Sequence, residues 1–199
     1  MENYKLNMEW LDDKTLQLDK ELNSIDEFVL DFVKIIQQHT PYVIISGYVS
    51  ILLGRSRSTE DVDFFLPELS KEIWLKLHSA LLEKGYWCMN TNDIEEAFSY
   101  LSEGLAIRFA QKDEIAPNAE LKFARTQLSK EALHDNITVI TKKGKIIISS
   151  LERQIAFKRF YLKSYKDIED ATHIEEVMRD KINKDKVLYY KQRIEHETP

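Results

Sequence analysis

Gly47 lies fourteen positions before Asp61, and the stretch between them most narrows what this 199-residue chain can fold into. Tyr42-Val43-Ile44-Ile45 reads as a buried strand, Ser46-Gly47 breaks it, and Tyr48 to Leu53 can start a short helix with Val49, Leu52 and Leu53 turned inward. Asp61-Val62-Asp63-Phe64 then alternates polar and apolar, the period of a half-buried strand. Side chains at i and i+2 of a strand share a face, so Asp61 and Asp63 are aimed at one point. Asp61 and Asp63 then lie on the strand after the turn, so the turn and the two acids would meet at one edge of a sheet.

Two carboxylates so placed repel each other, and a cation between them relieves the repulsion. A hard divalent ion such as Mg²⁺ suits them, because it takes oxygen ligands and keeps room for substrate phosphates. The turn upstream supplies what a phosphate needs. A strand, a Ser46-Gly47 turn and a helix start expose backbone N–H groups and the positive end of the helix dipole. Gly47 lets the backbone come close to a ligand.

The rest of the chain sets the frame. Met8 to Leu11 and Thr15 to Leu18 flank Asp12-Asp13-Lys14 as a small hairpin. Ser24-Ile25-Asp26-Glu27 resembles a capping box before a helix to about His39, with Phe28, Phe32, Ile35 and Ile36 on its buried stripe. Ser70 caps a helix from Lys71 to Lys84 that stops at Gly85. Asp93 to Leu101 reads as a short helix, and Leu105 to Ala110 and Ala119 to Ala124 read as strands. Ile137 to Ile140 and Lys145 to Ile148 form a hairpin around Lys142-Lys143-Gly144. Helices follow over Leu151 to about Lys163, Lys166 to Arg179 and Lys184 to Glu195. The expected class is α/β (α+β): a mixed sheet with flanking helices over residues 1–148 and a C-terminal helical region over 149–199.

Composition excludes several classes. A hydrophobic fraction of 43% is that of a globular chain, and no apolar run approaches a membrane span. Met1-Glu2-Asn3-Tyr4-Lys5 lacks a signal pattern, and Cys88 is the only cysteine, so a reducing cytoplasmic setting is expected. His39, His78, His134, His173 and His196 show no ligand spacing, and no Gly-x-x-x-x-Gly-Lys-Ser/Thr run exists for a P-loop. The net charge of −6 argues against broad nucleic-acid coating. Lys142 to Lys166 nevertheless holds eight basic residues against Glu152 alone. That run is either a solvated charged face or a positive wall for polyphosphate or RNA.

Two further residues stand out. Glu120 lies in a strand-like run and could be the third acid that two-metal phosphoryl chemistry uses. Lys122 shares its face and could balance it, which would make the pair an ordinary surface. Lys158 falls on one helical face with Leu151, Ile155 and Leu162. A lysine there must snorkel, pair with an acid or meet a bound anion. Asp167 and Asp170, three apart on the following helix, could pair with it or orient a substrate.

Together these residues resemble the polymerase-beta-like nucleotidyltransferase superfamily. Its pattern is a Gly-containing turn and helix, Asp-x-Asp on a strand and a third acid on a later strand. Here those are Ser46-Gly47, Asp61-Val62-Asp63 and Glu120. Arg57-x-Thr59-x-Asp61-x-Asp63, Gln154-Ile155-Ala156-x-Lys158 and Lys166-Asp167-Ile168-Glu169-Asp170-Ala171 are similar to the branch of abortive-infection toxin-type nucleotidyltransferases. The resemblance implies Mg²⁺ or Mn²⁺ on Asp61, Asp63 and Glu120, with a nucleoside triphosphate as substrate. Ser46, Gly47, Tyr48, Arg57, Lys158, Lys166, Asp167 and Asp170 would line the nucleotide. An RNA end or a protein side chain would be the acceptor, and a toxin or antitoxin the partner, without a membrane. It equally allows an inactive relative that binds a nucleotide or a partner. Tyr48 stands where many relatives have a small residue, so it is expected to narrow the triphosphate site.

Overall fold

The expected first hairpin forms: β1 (Asn7–Asp12) and β2 (Thr15–Asp19) pair antiparallel. The computed structural model describes residues 7–197, so the Met1–Lys5 stretch lies outside the described residues. Next comes α1 (Ser24–Ile36), whose capping box sits one residue earlier than the sequence suggests. Asn23 accepts from the Asp26 amide at 3.0 Å, and Asp26 accepts back from the Asn23 amide at 3.0 Å. Asn caps well, and the fully buried Asp26 has further partners that hold it there: Lys20 at 2.8 Å and the Tyr48 hydroxyl at 2.9 Å.

β3 (Val43–Ile45) leads through Ser46 into the six-residue α2 (Gly47–Leu52), and β4 (Asp61–Leu66) follows. Then come α3 (Lys71–Glu83), capped by Ser70, β5 (Tyr86–Cys88), α4 (Ile94–Glu103), capped by Asp93, β6 (Ile107–Gln111) and β7 (Asn118–Phe123). α5 (Gln127–Ala132) precedes the hairpin β8 (Asn136–Thr141) and β9 (Gly144–Ser149). The sequence reading has no counterpart for β5 or α5. Three residues are too few to show a period of two, and α5 carries few apolar side chains to mark a buried face.

Nine strands of the described residues form one mixed sheet in the order β1-β2-β8-β9-β3-β4-β7-β6-β5. The second strand of the N-terminal hairpin pairs parallel with β8, so the hairpin extends this sheet. β4 is central, antiparallel to β3 and parallel to β7. Val62, Phe64, Ala119, Leu121, Ile107 and Phe109 point into the core, where Phe32 of α1 meets Phe64 and Phe109. Alternation then leaves Asp61, Asp63, Glu120 and Arg108 together on the other face.

The C-terminal helices are α6 (Leu151–Ala156), α7 (Tyr165–Val177) and α8 (Lys184–Glu197). Leu151, Ile155, Ala171 and Ile174 join the same apolar cluster as the sheet. The expected single helix to Lys163 is interrupted: Phe157–Leu162 is a π-helical turn, closed by Lys163 with φ 61°. The wider turn rotates the residues beyond Ala156. Leu162 is therefore 45% exposed, whereas Lys158 is 1% exposed. No helix among the described residues is long and apolar enough to cross a membrane.

Candidate active site

β4 and β7 deliver the acids. Their parallel register sets Asp63 beside Glu120, and β6 sets Arg108 on the far side of Glu120. On the other flank, β3 places Ile45 beside Asp63, so the Ser46-Gly47 turn leaves the sheet next to the two aspartates. Ser46 has φ 66° and ψ −137°, a backbone conformation that only glycine adopts without strain. Its hydroxyl bonds Asp63. Such strain clusters where a backbone must approach a ligand.

The three acids differ in how their charges are met. Asp61 accepts the Thr59 hydroxyl at 3.0 Å. Asp63 is pushed up to about 6, first by burial and further by the charges of Glu120 and Asp61, against the opposing pull of Lys122 and Ser46. Glu120, 5% exposed, receives Arg108 on one oxygen (Nε 2.8 Å, Nη2 2.5 Å) and Lys122 on the other (2.5 Å). Burial alone would raise its carboxyl, but those two cations hold it below the ordinary glutamate value.

The donor set therefore divides. Asp61 and Asp63 suit a divalent cation: two oxygen donors on one strand face, one of them, Asp63, pushed up by burial that Lys122 at 3.7 Å only partly offsets. Glu120 does not complete the set, since both of its oxygens already serve cations of the chain. Among the described residues, no three His, Cys, Asp or Glu side chains group so as to hold a metal ion.

A second cluster lies behind the turn, where α7 packs against α2. The fully buried Asp170 accepts from Lys158 at 2.7 Å, from Arg57 at 3.3 Å and from Arg55. Asp167 lies 3.4 Å from Lys158 and is held by Ser164, the N-cap of α7. Arg55 also reaches Glu169 at 2.6 Å and the Lys166 carbonyl at 3.0 Å. The Arg57 guanidinium covers Gly47 so closely that a methyl group there would collide with it, and its buried Nε has no partner. Arg57 links the two clusters.

Several sequence expectations need correction. Tyr48 does not narrow a triphosphate site: its ring is fully buried in the core and its hydroxyl donates to Asp26. Lys158 is sealed against Asp170 and Asp167 and reaches no open surface, so of its three options pairing with acids is the one realised. Lys166 contributes its backbone carbonyl to Arg55, and its side chain is exposed. The basic run from Lys142 to Lys166 is not a wall. Lys142 pairs with Asp19, Lys143 with Glu27, Arg159 with Glu175, and Arg153 is buried over the Phe157 ring. A cavity of about 210 Å³ lies elsewhere, lined in part by Trp10, Asp135, Glu152 and Lys186.

Arg55 and Arg108 belong to these clusters without being among the candidates that motif and spacing point to. Each had a signal: Arg108 is the outward residue between Ile107 and Phe109, and Arg55 is two positions before Arg57.

No protein-family model matches the chain, and no curated protein matches it. Among solved structures it resembles an antigenic nucleotidyltransferase-like protein from Paracoccidioides brasiliensis. The TM-score is 0.52 and the identity 16%, over 87% of this chain and 88% of that one. The chain therefore has a nucleotidyltransferase-like fold, with its paired aspartates beside the Ser46-Gly47 turn.

Proposed function

We propose that this protein moves a nucleoside monophosphate from a nucleoside triphosphate to a hydroxyl acceptor. The observation that carries the reading is the Asp61–Asp63 pair beside a strained turn, on a nucleotidyltransferase-like fold. Asp61 and Asp63 would hold Mg²⁺ or Mn²⁺, which when bound neutralises phosphate charge and favours pyrophosphate departure. Ser46 and Gly47 offer backbone N–H groups to the triphosphate, and Arg57 already stands over that turn as a phosphate-pairing cation. The acceptor hydroxyl gives its proton to bulk water, its oxygen bonds to the α phosphorus, the bond from that phosphorus to the β-phosphate oxygen breaks, and pyrophosphate leaves. Glu120, held below the ordinary value by Arg108 and Lys122, is a poor proton acceptor. Its part is to anchor Lys122. The acceptor is an RNA end or a protein side chain, with a toxin or antitoxin role and a cytoplasmic setting as part of the same proposal.

Labelled nucleoside triphosphates with Mg²⁺ and cell extract test this. A labelled macromolecule is expected, and Asp61→Asn should reduce labelling by roughly 100-fold or more with an unchanged circular dichroism spectrum. Full labelling by Asp61→Asn would refute the acid assignment. A second reading, a binding module without turnover, is favoured by one feature: Glu120 and Lys158 are both already ion-paired. Saturable nucleotide binding with no transfer to any of several acceptors would select it.

A further inference from the structure

The acid face carries a cation of its own. Lys122 lies two residues beyond Glu120 on β7, in register with Phe65, and its ammonium leans back between two acids. It is 2.5 Å from Glu120 and 3.7 Å from Asp63. Two-metal phosphoryl sites hold their ions about 3.5–4 Å apart between shared carboxylates. Lys122 occupies the space where Asp63 and Glu120 would share such an ion. The Lys122 backbone is held by its pairing with Phe65 of β4, which sets the side chain on the same face as Asp63 and Glu120. Arg108 completes the arrangement by forking onto the remaining oxygen of Glu120. The other half of the face is different. Asp61 has a hydroxyl partner and Asp63 a hydroxyl on its turn side, and no cation among the described residues forms an ion pair with Asp61.

We propose that Lys122 is a built-in substitute for one of two divalent ions, so that the acid face accepts a single metal, on the Asp61–Asp63 side. This rests on the nucleotidyltransferase reading of that pair. Lys122 is a positioning residue: a single charge of the chain's own beside Asp63 where a two-metal site would bring a dication.

Mn²⁺ titration of the full chain, with free ion followed by electron paramagnetic resonance, tests it without any turnover. Wild type is expected to take one ion. Lys122→Met should take two, and the extra ion should vanish when Glu120→Gln is added. Lys122→Arg, which keeps the charge, should stay at one. Should Lys122→Met fail to fold, Lys122→Gln provides the same comparison. Two ions in wild type, or no gain in either uncharged variant, overturns the proposal. Asp61→Asn separates the two ideas. Loss of the wild-type ion in that variant, with no gain in Lys122→Met, sinks only the role of Lys122. Retention of the ion in Asp61→Asn sinks the underlying acid-pair reading.

Discussion

The two charged clusters that meet at the Ser46-Gly47 turn contain similar residues and end in opposite states. Behind the turn, Asp170 is fully buried, yet Lys158, Arg57 and Arg55 converge on it, and Asp167 and Glu169 share the load. In front of it, three carboxylates share one sheet face, and the two local cations concentrate on Glu120. The first cluster pairs its charges within itself, with only Arg57 reaching the turn and keeping a buried Nε unpartnered, and it clamps α7 to the loop before β4. The second keeps Asp63 under strain, at about 6. A buried charge that is fully paired is architecture. A buried charge left short of partners is where a ligand would bring a gain.

Removing Asp170 should show the largest effect. Asp170→Ala leaves Lys158 buried without its nearest acid and frees both arginines, so a loss of about 3–5 kcal/mol in urea unfolding is expected. A loss under ~1 kcal/mol would mean the cluster is not a clamp.

Asp63→Asn should act in the opposite direction. Without metal, wild-type Asp63 binds its proton more tightly folded, at about 6, than in the unfolded chain, near 3.8. Between those values the folded state holds more protons, so stability falls as pH rises through that window and stays lower above it. Asp63→Asn should therefore be more stable than wild type by on the order of 3 kcal/mol at pH 8, and the gap should close below pH ~4. Thermal melts across that range measure it. A gap that widens towards acid pH would show that burial does not dominate at Asp63.

Ser46→Gly should have the smallest effect. It relieves the positive φ, by about 1 kcal/mol, and gives up the hydroxyl on Asp63, which contributes about as much. A net change within ~1 kcal/mol is expected, and a larger loss would make the hydroxyl the main support of that carboxylate.

Much of this was legible in the chain itself. The alternation through Asp61-Val62-Asp63 put both acids on one face, Ser46-Gly47 marked the turn, and Ser70 and Asp93 marked helix starts that the structure contains. Those features depend on neighbours within a few residues, which is the range over which strand period, turn conformation and capping act. The helix over Leu151 to Lys163 shows where that range ends. Its spacing allowed Lys158 three fates, and the π-helical turn with α7 selected one.

Tertiary structure alone decided which charges were satisfied. Arg57 finds Asp170 across 113 positions, Tyr48 finds Asp26 across 22, and Lys143 of the basic run finds Glu27 across 116. Local periodicity can say which way a side chain points, because backbone geometry fixes that. It cannot say what waits there, because the partner is supplied by packing between distant segments. The sequence by itself therefore determined the fold class and the placing of Asp61 and Asp63. The folded chain determined that Tyr48 belongs to the core, that Lys158 is sealed, and that Glu120 is already held by Arg108 and Lys122.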